Sequence, residues 1–144
     1  MRRSLASILR LRSLLEEESR VRLERAVQQA SRIETARMRE AEITAACKDA
    51  AAAAIMDEQG GWPTAFVDQK IAGLRGEQLE LLARAMAAQI WAHHEEFVAR
   101  RKERQQVETL LRNEAEQRNR ELDRREQRAV DDWFGSARNK RGRD

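Results

Sequence analysis

The fold is decided by the stretch Gln59-Gly60-Gly61-Trp62-Pro63, because it separates two long segments with helical composition. Nearly sixty residues before it contain neither Gly nor Pro, and about seventy residues after it contain only Gly73 and Gly76 as helix breakers. The two central glycines permit backbone conformations that end a helix, and the proline can begin the next one. The sequence therefore predicts an all-α fold, a long antiparallel two-helix coiled-coil hairpin with its turn at 59–64.

The composition limits the size of the core. Of the 144 residues, 37% are charged, 41% are hydrophobic with many alanines among them, and only 4% are aromatic. This is the composition of a coiled coil or long helix, which buries a narrow seam and offers no enclosed pocket for chemistry. The net charge of +3 arises from mixed signs, as on a solvated helical surface.

Compartment signals are few. Cys47 is the only cysteine, so no intrachain disulfide is possible and a reducing compartment is favoured. No apolar run approaches the length of a membrane span, and the start lacks a secretory apolar region. We expect a cytoplasmic protein.

The first helix is predicted from about Ser4 to Glu58, at roughly 80 Å long. Its apolar residues recur at spacings of three and four, with a phase slip near Ala36. Before the slip the stripe contains Leu5, Ile8, Leu15, Leu23, Ala26, Ala30 and Ile33, and after it Ile43, Cys47, Ala50 and Ala54.

The second helix is predicted from about Ala65 to Phe134, with a break or kink near Gly73 and Gly76. Its apolar face contains Phe66, Ile71, Leu74, Leu82, Met86, Ile90 and Phe97, and then becomes sparse and rich in Arg. The turn end is therefore predicted to be closed and self-sufficient, and the end with both termini to be weakly packed. Residues 135–144 are predicted to be a disordered basic tail. Trp62 either packs over the hairpin tip or contacts a partner.

Catalytic, cofactor-binding and metal-binding residues are all predicted to be absent. His93 and His94 are adjacent and point about 100° apart on a helix, so they do not converge on one metal ion. Gly60-Gly61 has no following Lys-Ser or Lys-Thr, so there is no phosphate-binding loop. Cys47 is expected to be a buried small residue. The chain is therefore predicted to be non-enzymatic, with no small-molecule substrate.

The most distinctive segment is Arg118 to Phe134, which is very polar and yet ends in two aromatic residues. The candidate partner-binding residues are Arg118, Leu122, Arg125, Glu126, Trp133 and Phe134. Two interpretations stay open for the aromatic pair: an anchor for a partner protein, or packing against Leu5 and Ile8 of the first helix. We expect the working end of the hairpin where 4–22 meets 118–134.

This layout resembles the FliJ/YscO (SctO-type) family of type III secretion stalk proteins. The resemblance is carried by the length, the hairpin, the early second helix from Phe66 to Leu74, and the segment Leu122-Asp-Arg-Arg-Glu-Gln-Arg-Ala-Val-Asp-Asp-Trp133. That segment is similar to the Arg-Glu-Gln-x-x-x-Asp-Glu ending of the family. The Gly-Gly-Trp-Pro turn and the Trp-Phe pair have no counterpart in the family pattern.

The resemblance implies a non-enzymatic central stalk of a flagellar or injectisome export apparatus. Such a stalk inserts the chain-end part of its coiled coil into the secretion ATPase hexamer and promotes assembly and activity of the hexamer. It also contacts the export gate membrane protein and binds secretion chaperones.

Two other functions remain open. One is a general coiled-coil scaffold or adaptor, with self-association through its thin seam. The other is a nucleic-acid-associated helical protein that uses 100–102 and the basic C-terminus. The acidic residues interleaved along the second helix argue against nucleic acid.

Overall fold

The chain is an all-α hairpin, in which two long helices pack against each other, as predicted. The computed structural model describes residues 2–56 and 60–142, without the side chains of Arg2 and Trp62. Helix α1 is Arg2–Ile55 and helix α2 is Trp62–Arg141, and the described residues contain no strand. The chain consists of two compact units. One is formed by Met1–Leu15 together with Arg100–Asp144, and the other is Glu16–Ala99.

The turn contains a glycine in a backbone conformation that ends a helix, as predicted. Gly60 has a φ of 76°, in the left-handed region that a residue with a Cβ rarely adopts. Helix α2 begins directly after Gly61, whose carbonyl accepts a hydrogen bond from the Ala65 amide at 3.3 Å. The predicted turn was therefore too long, since residues 62–64 are helical. Residues 57–59 lie outside the described part, as does the predicted packing of the Trp62 side chain.

Three other predicted boundaries are wrong. Helix α1 begins at Arg2 and ends at Ile55, not at Ser4 and Glu58. Helix α2 passes through Gly73 and Gly76 without a break, because its neighbouring turns are rich in Ala, Leu, Glu and Gln, which favour helix. It also continues through Gly135 to Arg141, so residues 135–141 are not a disordered tail.

The seam of α1 is a single uninterrupted series. Within 16–55 all but two of the buried and half-buried residues, the exceptions being Val21 and Ala36, recur at alternating spacings of three and four: Glu16, Ser19, Leu23, Ala26, Ala30, Ile33, Arg37, Glu40, Thr44, Cys47, Ala51 and Ala54. The predicted phase slip near Ala36 is wrong, because the helix keeps its register by accepting polar residues into the seam. Ile43 and Ala50 are consequently exposed, and Cys47 is half-buried.

The matching seam of α2 within the unit Glu16–Ala99 is just as regular. Its members are Ala65, Gln69, Ala72, Gly76, Leu79, Ala83, Met86, Ile90, His93 and Phe97, all buried or half-buried. An ion pair between Arg22 Nη1 and Glu96 Oε1 at 3.6 Å joins the two helices in this unit. The buried members are mostly small, among them Ala26, Ala51 and Ala72, so the seam is narrow.

Several large apolar residues predicted for the core are exposed instead. Phe66, Ile71, Leu74 and Leu82 all face solvent, as do Ile55 and Met56 beside the turn. The prediction of a closed, self-sufficient turn end is wrong in this respect, because alanines and glycines fill the seam there and the larger side chains point away from it.

Charged side chains form ladders along the exposed faces, as opposite charges at helical spacing do. Arg20 bridges Glu17 and Glu24 along α1, and the Arg20 guanidinium holds the pKa of the Glu17 carboxyl below its usual value. Separately, Arg22 pairs with both Glu18 of α1 and Glu96 of α2, so it links an intrahelical pair to the interhelical contact.

Candidate partner-binding surface

The predicted partner-binding residues lie at the C-terminal end of α2, in the unit formed by 1–15 and 100–144. Here Arg12 Nη1 of α1 donates a hydrogen bond to Glu103 Oε2 of α2 at 2.7 Å. Because the helices run antiparallel and α1 begins only about ten residues before Arg12, its first residue lies opposite about residue 113 of α2. We call residues 119–141 the α2 extension, since no described part of α1 lies opposite them.

Burial confirms where the paired part of this unit ends. Val107 is buried, and Leu111, Glu114 and Arg118 are half-buried at seam spacing. From 119 to 136 every residue is exposed. Arg118 is thus the last seam residue, and its guanidinium lies 3.6 Å from the Glu114 carboxylate one turn earlier.

The extension is helical for local reasons. It is composed largely of Arg, Glu, Gln, Ala and Leu, which have high helix propensity. The amide of Gln127 donates to the Asp131 carboxylate at 3.1 Å across one turn. Arg138, Lys140 and Arg141 occupy the last turn, where positive charge interacts favourably with the helix dipole.

The seam does not continue into the extension as an apolar stripe. The positions that prolong its spacing are Glu121, Arg125, Arg128 and Asp132, all charged. The apolar residues Leu122, Ala129 and Trp133 are displaced by one residue, which is about 100° around the helix. The extension is therefore not built to prolong the α1–α2 coiled coil, and its apolar residues face a different direction.

The structure brings three of the six predicted site residues to one face of the α2 extension, while Arg118 and Arg125 continue the seam spacing on another. Leu122, Glu126 and Trp133 are spaced at four and seven residues, so they lie along one side of the helix. Leu122 is 52% exposed, and Arg125 and Glu126 also face solvent. Phe134 lies about 100° further round but packs against the neighbouring indole.

Trp133 and Phe134 form an edge-to-face pair, with ring centroids 5.0 Å apart and an interplanar angle of 78°. They remain 66% and 61% exposed. The alternative in which both rings pack against Leu5 and Ile8 is wrong, because the register places that part of α1 opposite residues before Glu114. For the same reason 4–22 does not meet 118–134.

A shallow groove surrounds the aromatic pair. It is lined by Asp131, Trp133, Phe134, Gly135, Ala137, Arg138 and Arg141. Acidic residues precede the rings and basic residues follow them, so a partner would meet an apolar centre between charges of opposite sign. Two exposed aromatic rings in such a setting are typical of an interface anchor.

One exposed surface was not predicted. Val67, Ile71, Leu74 and Leu81 all face solvent on α2 in the unit Glu16–Ala99. The signal was present in the sequence as a second series spaced by four and three, two residues out of phase with the seam. The sequence prediction assigned Ile71 and Leu74 from this series to the core, because it treated all apolar residues of α2 as one face.

Among 2–56 and 60–142, no three His, Cys, Asp or Glu side chains are grouped to hold a metal ion. His94 stacks on Trp91 with ring centroids 6.3 Å apart, while His93 belongs to the seam. In the part of the chain that the structure covers, no helix is both long and apolar enough to span a membrane.

The chain matches no protein-family model, no curated protein and no solved structure at a significant level of similarity.

Proposed function

We propose that this chain is a non-enzymatic central stalk protein of a bacterial type III secretion export apparatus. In this proposal the α2 extension enters the hexameric secretion ATPase and promotes its assembly and activity. The same protein links the ATPase to the cytoplasmic domain of the export gate and to secretion chaperones. It would act in the cytoplasm, at the periphery of the inner membrane.

The observation that carries the proposal is the α2 extension itself. It is about 23 residues of helix, roughly 35 Å at 1.5 Å per residue, with no described residue packed against it. A single helix is narrower than the two-helix hairpin that precedes it, which suits insertion into the opening of a ring. The segment Leu122 to Trp133, which resembles the family ending, lies entirely within this extension.

The distribution of charge supports a protein partner. The seam positions of the extension carry Glu121, Arg125, Arg128 and Asp132, so charges of both signs lie along one face. A ring of subunits presents repeated charged side chains, and mixed charge fixes register and orientation more than it adds affinity. The exposed aromatic pair then supplies the apolar contact on which tight binding usually depends.

The proposal is tested by titrating the purified chain into the secretion ATPase encoded in the same genome. We expect ATP hydrolysis to rise to a plateau with added chain. The triple variant R118A/R125A/W133A should bind at least about tenfold more weakly while its circular dichroism stays that of a helix. Trp91→Ala is the matched control, because Trp91 is 67% exposed on α2 and lies outside the extension.

Other outcomes would select the other functions. A chain that neither binds nor stimulates the ATPase is not its stalk, and capture of a different protein through Trp133 would indicate an adaptor. Retardation of DNA that weakens steeply with salt and is lost on deleting 136–144 would indicate nucleic-acid binding.

A further inference from the structure

A second apolar stripe runs along α2 on the side that faces away from α1. We call it the outer stripe, and its eight members alternate at spacings of four and three: Val67, Ile71, Leu74, Gln78, Leu81, Ala85, Ala88 and Ala92. It lies two residues out of phase with the seam, which is about 200° around the helix. All eight residues are exposed, with Leu74 at 55% and Leu81 at 65%.

A helix that is apolar on two opposite faces is normally buried on both. The hairpin covers only the seam side, and the outer stripe carries no charged residue over about 40 Å of helix. Apolar surface of this extent, interrupted only by Gln78 and with charged residues on its borders, is characteristic of a protein–protein contact. The alternating spacing is that of a coiled coil, so the surface fits another helix.

The order of side chains along the stripe indicates which helix it fits. The large residues Val67, Ile71 and Leu74 lie towards the turn, and the alanines lie at the other end. When the stripe is laid antiparallel on a copy of itself, every layer joins a larger side chain to a smaller or a polar one. The layers are Val67 with Ala92, Ile71 with Ala88, Leu74 with Ala85, and Gln78 with Leu81.

In antiparallel coiled coils, each layer joins an a position of one helix to a d position of the other, and all four layers of this arrangement do so. A parallel pair would place Leu74 on Leu74 and Ala88 on Ala88, which crowds one end and leaves a gap at the other. Interiors pack to uniform density, so the antiparallel pairing is favoured.

The charges beside the stripe are complementary in the same register. Glu77 and Arg84 occupy equivalent flanking positions, and antiparallel pairing brings Glu77 of one copy beside Arg84 of the other, twice by symmetry. In the single chain Arg84 Nη2 binds Glu80 Oε1 at 2.9 Å, yet the side chain of Arg84 remains 74% exposed and can accept a second carboxylate. An isologous contact of this kind is the commonest route to a dimer.

We propose that the chain forms a homodimer through the outer stripe of α2, with the two α2 helices antiparallel. The interface is short and narrow, at the lower end of the size range for stable complexes, so the dimer dissociates in the micromolar range. The proposal does not depend on the secretion function, because the outer stripe and the α2 extension share no residue.

The first test is sedimentation equilibrium of the full chain from about 1 to 100 µM. We expect a monomer–dimer equilibrium that the double variant L74E/L81E shifts to monomer, weakening dimerisation at least about 100-fold. The matched control is Leu122→Glu, a leucine of similar exposure in the α2 extension, which should leave the equilibrium unchanged. Both variants alter exposed positions, and circular dichroism should show unchanged helicity.

The second test exchanges the flanking charges and does not depend on the apolar variants folding. Glu77→Arg and Arg84→Glu should each weaken dimerisation about tenfold or more, because each creates two like-charge contacts. The double variant E77R/R84E restores both pairs and should return to within about threefold of the original dimer constant.

Three results would overturn the proposal. They are a strictly monomeric chain over the whole concentration range, a dimer that survives L74E/L81E but is lost with Leu122→Glu, and a charge exchange without rescue. In a chain carrying Cys47→Ala, Leu74→Cys that forms a disulfide with its own copy would show parallel pairing and equally contradict the antiparallel register.

Discussion

The outer stripe and the α2 extension are two exposed surfaces of the same helix, yet they differ in what their side chains offer. The outer stripe is apolar, uncharged along its length and graded from large to small residues, so its complement is a reversed copy of itself. The extension is highly charged with one aromatic pair, and its complement is a surface with charges of its own. Exposure alone therefore does not identify the complement of either surface, whereas the pattern of side chains does.

The largest effect should come from removing the extension altogether. A chain ending at Arg118 loses every exposed residue from 119 onward and should lose binding to the secretion ATPase by at least about 100-fold. Its dimer constant should change by less than about threefold, because the outer stripe is intact. Binding is measured by isothermal titration and dimerisation by sedimentation. Loss of both properties together would show that the two surfaces act as one.

The next largest effect is a difference in the free energy of unfolding between variants at a seam residue and at an exposed apolar residue. Met86 is 6% exposed in the seam behind the outer stripe, so Met86→Ala should lower the free energy of unfolding by about 2 to 3 kcal/mol. Leu122→Ala in the extension should cost less than about 0.5 kcal/mol, because little area is buried there. Urea denaturation at one fixed protein concentration measures both. Equal costs would mean that the extension is packed in solution.

The sequence was sufficient to predict the hairpin, because two segments free of helix breakers on either side of a Gly-Gly-Trp-Pro turn leave few alternatives. Trp133 and Phe134 were selected because aromatic residues are rare in this chain; the structure shows both rings exposed, and their partner-binding role stays a prediction. It did not reveal that Arg37, Glu40 and Thr44 occupy the seam, because hydrophobicity alone cannot assign a half-buried polar residue.

The register was the second element that sequence reasoning missed. The sequence prediction let 4–22 meet 118–134, although the second helix was predicted to be the longer one, so Trp133 was placed opposite the start of α1. The register depends on which residues of two similar seams face each other, and here Arg12 with Glu103 and Arg22 with Glu96 indicate it. These are side-chain contacts between distant residues, which local spacing cannot supply.

Glycine substitutions should change the free energy of unfolding by a smaller amount, and the structure predicts the sign of each change. A Cβ added at Gly76 meets no atom within 4 Å, so Gly76→Ala should raise the free energy of unfolding by about 1 kcal/mol. Gly60→Ala should lower it by about 1 kcal/mol or more, because its φ of 76° is strained for alanine. Gly135→Ala, in the extension, should increase helicity with little change in the denaturation midpoint. A stabilising Gly60→Ala would contradict the turn described here.

The smallest expected effect is the coupling energy of the ion pair between Arg12 and Glu103, which indicates the register of α1 against α2 next to the α2 extension. Arg12 and Glu103 are each about one-third exposed, and such pairs contribute roughly 0.2 to 1 kcal/mol. A double-mutant cycle with Arg12→Ala and Glu103→Ala should give a coupling energy in this range that diminishes in 1 M salt, where the screening length falls to about 3 Å. Arg20→Ala with Glu103→Ala is the matched control and should show no coupling, because Arg20 binds Glu17 and Glu24 within α1. A coupling of zero for the first pair would place α1 in another register, in which part of the extension could lie against α1.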